Sequence, residues 1–335
     1  MCLIGIAVDV PGPWLLAVAA NRDEFHDRHA APAAYWDNAE IGLLAGKDLQ
    51  AGGTWLGLTR GADGRSLRIG ALTNLRPGLM PAGAVPPTGL TPSRGRLVAG
   101  FLTTATDPES FLRNLVPTAG DYAGFNLLAV KVQDGGAGVD AWYMNNLPDL
   151  VPRHLGPGLH VVSNATLSIE WPKTRLLRAA MADWLDVRPE VQRPPSTTRA
   201  GERADSDDRV AGAGAGAHGH GHTGAHAHGH AAADARVGPG AGADQRLAEA
   251  LLAALADRSQ APDADLPTTG LDDRRERLLS APFIVDDHYG TRCSTVILVS
   301  RDGRVFFAER SFGPRGRPAG TVIEQFTLDA SPALR

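Results

Sequence analysis

Two apolar runs at the start of the chain strongly constrain its fold. They are residues 2–8 (CLIGIAV) and 14–20 (WLLAVAA), and the sequence PGP at residues 11–13 separates them. Short, continuous apolar runs are typical of buried strands, and proline and glycine between them favour a turn. The sequence therefore predicts an initial β-hairpin whose first strand begins at Cys2.

The rest of the chain adds further strands and a smaller number of helices. Apolar, β-rich runs predict strands at 54–58, 67–73, 125–132, 141–144, 159–163, 294–300 and 304–310. An Asp-Gly turn at Asp302-Gly303 joins the last two as a hairpin. Apolar residues at helical spacing predict helices at 93–104, 107–115, 173–186 and 244–257. The mixture predicts an α+β fold.

Residues 190–243 differ from the sequence on either side. This glycine-, alanine- and histidine-rich stretch has no periodicity and few large apolar residues, so it cannot bury enough surface to offset its ordering entropy. We predict a disordered insertion in a single domain made of residues 1–189 and 244–320, followed by a tail at 321–335.

The insertion also holds a cluster of histidines. Six of the eleven histidines of the chain lie there: His218, His220, His222, His226, His228 and His230. Such a tract can bind zinc or nickel loosely. We favour a solvated linker, because the tract lacks the supporting hydrogen bonds that hold metal ligands in place. We therefore predict no metal site.

Composition excludes several classes of partner. The net charge of −4 gives no basic surface for nucleic acid and no polybasic membrane anchor. The sequence has no secretory signal and no apolar run long enough to span a membrane, so we predict a cytoplasmic protein. Its two cysteines, Cys2 and Cys293, form no disulfide framework, although a single bridge between them stays possible.

A set of motifs carries a family resemblance over nearly the whole chain outside the insertion. They are Met1-Cys2, Asn21-Arg22-Asp23-Glu24-Phe25, Gly46-Lys47-Asp48, Ala51-Gly52-Gly53-Thr54-Trp55-Leu56-Gly57, Leu72-Thr73-Asn74-Leu75-Arg76, Ser93-Arg94-Gly95, Gly124-Phe125-Asn126-Leu127, Ser163-Asn164-Ala165, Trp171-Pro172-Lys173, Leu266-Pro267-Thr268-Thr269-Gly270 and Tyr289-Gly290-Thr291-Arg292. In this order they resemble the NRDE family, also called the transport and Golgi organisation 2 family. Lys47 and Cys293 depart from the family pattern, which favours Arg and Ser.

The resemblance implies a fold and several activities. The fold is that of an N-terminal-nucleophile hydrolase, an αββα sandwich of two stacked antiparallel sheets flanked by helices. Members of the family have been linked to Golgi organisation, haem trafficking, and acyl-CoA or lipid metabolism. We expect Trp36, Trp55 and Trp171 to be core residues rather than ligand-stacking residues.

Cys2 is placed to become the first residue after removal of Met1. It would then carry a thiol with a pKa of ~8.5 and an α-amine with a pKa of ~8. The amine can take the thiol proton, so Cys2 would contain both a nucleophile and its base. This arrangement suits attack on an amide or a thioester. The alternative is that Cys2 is a small buried apolar residue that starts a strand.

Arg22 and Asp23 end the second strand of the predicted hairpin and are candidate helpers. A guanidinium beside Cys2 would favour its thiolate, and a carboxylate would hold the α-amine. Adjacent strand residues face opposite sides, so both can point at Cys2 only if the chain turns there. The alternative is an ion-pair network that closes the hairpin.

Further site residues are expected from the resemblance. Asn164 and, second, Asn74 are candidate donors to an oxyanion, or alternatively make Asx turns that end strands. The late Arg292 corresponds to an arginine near the nucleophile in related acylases, or makes a structural ion pair. Arg76 and Arg94 could bind an anionic head group such as phosphate.

These observations predict an N-terminal-cysteine amidohydrolase or thioesterase that acts on an acylated small molecule. Hydrolysis by Cys2 requires no cofactor. The alternative is a non-catalytic protein on the same fold that binds haem, acyl-CoA or lipid, since a cysteine thiolate can ligate haem iron. The oligomeric state is not predicted.

Overall fold

The computed structural model describes residues 2–36, 42–76, 92–133, 135–186 and 241–330. All of the described residues belong to one compact unit. The predicted disordered insertion lies outside the described residues, apart from its last three positions, and so does its histidine tract. Among the described residues, no helix has the length and apolar character needed to cross a bilayer.

The described residues form an α+β fold, as the sequence predicts. The strands are β1 (Cys2–Val8), β2 (Trp14–Phe25), β3 (Ala30–Tyr35), β4 (Leu43–Asp48), β5 (Leu56–Arg60), β6 (Leu67–Asn74), β7 (Phe125–Gln133), β8 (Gly138–Asn145), β9 (Arg153–His154), β10 (Gly158–Val162), β11 (Tyr289–Ser300), β12 (Arg304–Gly313) and β13 (Arg317–Thr327). The α-helices are α1 (Gly95–Thr103), α2 (Pro108–Leu115), α3 (Pro172–Asp186), α4 (Ala241–Leu255) and α5 (Asp273–Leu278).

The strands form two antiparallel sheets. The first has the order β10-β1-β2-β11-β12-β13, and the second has the order β3-β4-β5-β6-β7-β8-β9. The predicted N-terminal hairpin is β1 and β2, which pair in register from Cys2 opposite Arg22 to Val8 opposite Leu16. On its other side β2 pairs with β11. The N-terminal hairpin therefore lies inside the first sheet.

The sheets and helices form four layers. Alternate residues of β1, such as Ile4 and Ile6, join the core between the two sheets. Leu3 and Ala7 face the other way and pack with residues of α3 and α4. Helices α1 and α2 cover the outer face of the second sheet. A strand buried on both faces needs apolar residues at every position, which explains the continuous apolar run in β1.

The structure differs from our expectations at several boundaries. The strand predicted at 54–58 begins at Leu56, because residues 51–55 form the turn that precedes it. We expected a tail at 321–335, but residues 321–327 belong to β13, which pairs with β12. This strand lies at the edge of the sheet and is mostly exposed, so it lacks the apolar pattern of a buried strand. Strands β3 and β4 were also not predicted.

The first prediction concerns Gly53, which packs against the backbone at the start of α1. A β-carbon at this position would lie 2.7 Å from the Gly95 carbonyl oxygen and 2.8 Å from the Arg96 nitrogen. Backbone atoms in packed elements move little, so we expect Gly53→Ala to lower the free energy of unfolding by about 1–3 kcal/mol in urea denaturation. Gly120→Ala is the control, because a β-carbon there meets nothing within 4 Å. Equal losses in both variants would contradict this packing.

The second prediction concerns the buried ion pair between Arg76 and Glu276. Their side chains are 5% and 3% exposed, and the guanidinium of Arg76 also lies 4.5 Å from the ring centroid of Trp171. Glu276→Ala leaves a buried cation without its carboxylate, which should cost about 3–5 kcal/mol of unfolding free energy.

The matched control for this ion pair is Glu109→Ala. It removes the exposed Arg113–Glu109 pair of α2, whose side chains are 63% and 38% exposed. Such a pair should contribute less than about 1 kcal/mol. Chemical denaturation followed by circular dichroism compares the two variants, and a loss at Glu276 no larger than that at Glu109 would refute the assignment.

Candidate active site

Cys2 begins β1 and lines a cavity of about 290 Å³. Cys2 is 8% exposed, and Arg22 lies opposite it in the β1–β2 hairpin. Burial raises the pKa of the Cys2 thiol, while the positive charges of the chain's amino terminus and Arg22 oppose this rise. The cavity walls include Asn74 and Arg94. The thiol therefore needs a base to become nucleophilic at neutral pH.

Arg22 points between the sheets, on the same side as Cys2. Its guanidinium carbon lies 4.3 Å from the ring centroid of Trp55, and Nη2 lies 3.9 Å from Asp48 Oδ2. The side chain is only 5% exposed, and Nη1 has no hydrogen-bond partner among the described residues. A buried guanidinium with an unused donor can contact an anionic or carbonyl group that enters the cavity.

Asp23 turns to the opposite side of β2, as the alternation of strand residues predicts. Thr291 Oγ1 donates to Asp23 Oδ1 at 2.7 Å, and the Tyr289 hydroxyl donates to the Asp23 carbonyl at 3.0 Å. Burial raises the pKa of the Asp23 carboxyl, while the charges of Lys173 and the amino terminus oppose this rise. The pairing of β1 with β2 ends at Cys2 opposite Arg22, so Asp23 lies one residue beyond it and still borders the cavity of Cys2.

Asn164 is fully buried, and both ends of its amide are engaged. Nδ2 donates to the Asn74 carbonyl at 2.8 Å, and Oδ1 accepts from Lys173 Nζ at 3.4 Å. The neighbouring Ser163 hydroxyl donates to the Cys2 carbonyl at 2.8 Å. Asn164 thus bonds to β6 and the adjacent Ser163 bonds to β1, whereas Asn74 itself lines the cavity with Cys2. Of the two predicted oxyanion donors, Asn74 is the better placed.

Lys173 was not predicted as a site residue. It lies in the first turn of α3 with no exposed surface, and burial lowers the pKa of its amine to about 8, opposed by the charges of Asp23 and Cys2. One signal was available in the sequence. Lys173 stands four residues before Leu177 and eight before Met181, so it shares the apolar face of the helix. This position places at least the stem of the Lys173 side chain against the core.

The three remaining predicted arginines are distributed differently. Arg94 lies in the wall of the Cys2 cavity, and its Nη1 donates to the Gly124 carbonyl at 2.9 Å. Arg292 does not line this cavity. Its Nη1 donates to the carbonyls of Phe25 at 2.7 Å and Arg28 at 3.0 Å, so it closes the turn after β2. Arg76 is held in its ion pair with Glu276.

A second cavity of about 360 Å³ lies on the other side of Arg22. It is lined by Arg292, Cys293 and Glu309, and it shares Arg22 and Trp55 with the first cavity. Trp55 is half-buried: it packs against the inter-sheet core, as predicted, but it also lines both cavities. Burial raises the pKa of the Cys293 thiol well above its usual range.

The two cysteines are free. Cys2 and Cys293 both lie opposite Arg22, on the strands that flank β2. Two strand spacings amount to about 10 Å, whereas a disulfide needs α-carbons within about 7 Å. The bridge left open by the sequence therefore does not form in this structure. Within the described residues, no group of three or more metal-ligating side chains is present.

Comparison with known proteins places this chain in a family. A family model described as Transport and Golgi organisation 2 matches residues 1–208 and 227–314. The chain is 31% identical over 324 residues to the Transport and Golgi organization protein 2 homolog of Bos taurus, and 30% identical over 329 residues to that of Homo sapiens; each match covers 93% of both chains. The Drosophila melanogaster protein of that name is 32% identical over 157 residues, which are 44% of this chain and 52% of its own. The chain therefore belongs to the Transport and Golgi organisation 2 family.

Proposed function

We propose that Cys2, after removal of Met1, is the nucleophile of a hydrolase that cleaves an amide or thioester of an acylated small molecule. The observation that carries this proposal is the position of Cys2 at the start of β1, in the wall of a polar cavity that also contains Asn74 and Arg94. The four layers of helix, sheet, sheet and helix support an N-terminal-nucleophile hydrolase fold.

The proposed reaction begins with a proton transfer. In the processed protein the α-amine of Cys2 accepts the thiol proton, because burial keeps the thiol protonated without a base. The thiolate attacks the acyl carbon, and the carbon–nitrogen or carbon–sulfur bond of the substrate breaks as the amine returns the proton to the leaving group. Water then hydrolyses the thioester formed at Cys2.

Polar groups in the cavity wall suit the charge that develops during this reaction. The side chain of Asn74 is the candidate donor to the oxyanion of the tetrahedral intermediate. Arg94 adds a positive charge beside Cys2, and the electrostatic interaction between them opposes the lowering of the Arg94 pKa by burial. An acyl substrate with a negatively charged group would match Arg94. The cytoplasm, which we predict as the compartment, would keep the thiol reduced.

The third prediction tests the covalent step. Incubation of the purified protein with an S-acyl thioester, followed by intact-mass and peptide mass spectrometry, should show loss of Met1 and an acyl group on Cys2. Cys2→Ala should abolish the adduct, because it removes the nucleophile while keeping a small residue after Met1. Cys293→Ser is the control and should still be acylated at Cys2, since its thiol lines the other cavity.

Two results would exclude this mechanism. Retention of Met1 in the active protein would remove the base that Cys2 supplies to itself. Acylation of the Cys2→Ala variant would show that the reactive group is not Cys2. Acylation mainly at Cys293 of the wild type would lead to the same conclusion.

The alternative function is non-catalytic binding of haem, acyl-CoA or lipid on the same fold. One observation favours binding of acyl-CoA or lipid over catalysis: burial raises the pKa of Cys2, and a protonated thiol is a weak nucleophile. The fourth prediction separates the two functions. If the protein is a carrier, acyl-CoA should bind in a calorimetric titration without turnover. In an absorbance titration, bound haem should give a thiolate-type Soret band, and this band should be absent in Cys2→Ala. Turnover of any thioester through Cys2 would reject the carrier.

A further inference from the structure

Lys173 occupies a position where several features disfavour a positive charge. The residue has no exposed surface, so its ammonium has lost its contact with water. It lies at the second position of α3, and the N-terminus of a helix carries a partial positive charge. The nearby guanidinium of Arg76 adds a like charge. An apolar residue would fill this position at a lower cost.

The contacts of the Lys173 amine are few. Its one hydrogen bond among the described residues goes to Asn164 Oδ1, at 3.4 Å. No carboxylate of the described residues forms an ion pair with it. The charges that favour the ammonium come from Asp23 and from the thiolate form of Cys2. A buried amine whose favourable electrostatic partners are a candidate nucleophile and an acid beside it marks a functional group rather than a packing element.

A short series of contacts connects Lys173 to Cys2. Nζ of Lys173 contacts Oδ1 of Asn164 at 3.4 Å. That oxygen lies 3.2 Å from the hydroxyl of Ser163, which donates to the carbonyl of Cys2 at 2.8 Å. Nδ2 of the same amide donates to the carbonyl of Asn74. The amine thus contacts an amide that bonds to Asn74 in the cavity wall and lies beside the serine that bonds to the Cys2 carbonyl.

We propose that Lys173 is a positioning residue for Cys2, whose ammonium stabilises the Cys2 thiolate and holds the oxygen of the Asn164 amide. This inference rests on the proposed reactivity of Cys2 and extends it. The charge comes from α3 and not from the chain terminus, so it acts on the thiol whether or not Met1 has been removed.

The pH dependence of this effect follows from the charges around both groups. Besides Lys173, the groups that interact electrostatically with Cys2 are the amino terminus, Asp23, Arg22, Arg94, Tyr289 and Cys293. Those that act on Lys173 are Asp23, Arg76 and Cys2. Because the pKa of Lys173 is lowered to about 8, its ammonium is present at neutral pH and is lost as the pH rises above 8. Stabilisation of the thiolate should therefore weaken above pH 8.

The fifth prediction measures alkylation of Cys2 by iodoacetamide between pH 6 and 10, with the modified peptide identified by mass spectrometry. Lys173→Met removes the charge and keeps the length of the side chain, so it should slow alkylation at pH 7.5 by about tenfold, the effect of one pKa unit. Lys173→Arg keeps a permanent charge and should react within about threefold of the wild type at pH 7.5. Lys131→Met, on β7, is the control and should match the wild type.

Several outcomes would overturn the inference. One is a folded Lys173→Met variant, judged by circular dichroism and thermal melting, that alkylates with the wild-type profile. Another is Lys173→Arg that reacts as slowly as Lys173→Met. If Lys173→Met fails to fold, the alkylation profiles of the wild type and Lys173→Arg still test the inference. The wild-type rate should rise less steeply than that of Lys173→Arg above pH 8, and parallel profiles would refute the role of the amine.

The alkylation experiment and the test of thioester hydrolysis can each give a negative result without the other. If alkylation depends on Lys173 and no thioester is cleaved, Lys173 acts on Cys2 but the protein is not the proposed hydrolase. If a thioester is cleaved through Cys2 but the alkylation rate does not depend on Lys173, the hydrolase is supported and the proposed role of Lys173 is rejected.

Discussion

Strand β2 is paired on both sides, and the geometry of the candidate site depends on this pairing. Hydrogen bonds to β1 and β11 fix which way each residue of the Asn21–Glu24 segment faces. Arg22 then lies between the sheets beside Cys2, while Asn21 and Asp23 face the helices. Asn21 donates to the carbonyls of Leu255 and Pro282, which attaches the end of α4 to the sheet. A shift of one residue in register would exchange these two sets.

The site contains several charges that a stable core would avoid. Arg22, Asp23 and Lys173 are each 5% exposed or less. Among the described residues, neither Arg22 nor Lys173 has the short, direct ion pair that Arg76 forms with Glu276. Compensation is spread over the face of Trp55, the hydroxyl of Thr291 and the amide of Asn164. Because no close opposite charge among the described residues neutralises Arg22 or Lys173, both can still interact with a ligand, whereas a closed ion pair would neutralise them.

The sequence predicted the buried parts of the fold better than its edges. Apolar runs located β1, β2 and β11, because strands covered on both faces need such runs. The exposed β13 and the short α5 lack that signal. In the site, the motifs indicated Cys2, Arg22 and Asp23, but they could not show that Arg292 turns towards backbone carbonyls. That orientation arises from a β-bulge in β11, which depends on pairing between distant segments.

Arg22 and Trp55 form a common wall of both cavities, and this has a consequence for ligand binding. One guanidinium cannot place its free donor in two cavities at once. A molecule that draws Arg22 to one side therefore takes a donor away from the other side, and thermodynamic linkage requires the effect to be reciprocal. The two cavities of this protein therefore share one cation, Arg22, with Cys2 in the lining of one and Cys293 in the lining of the other.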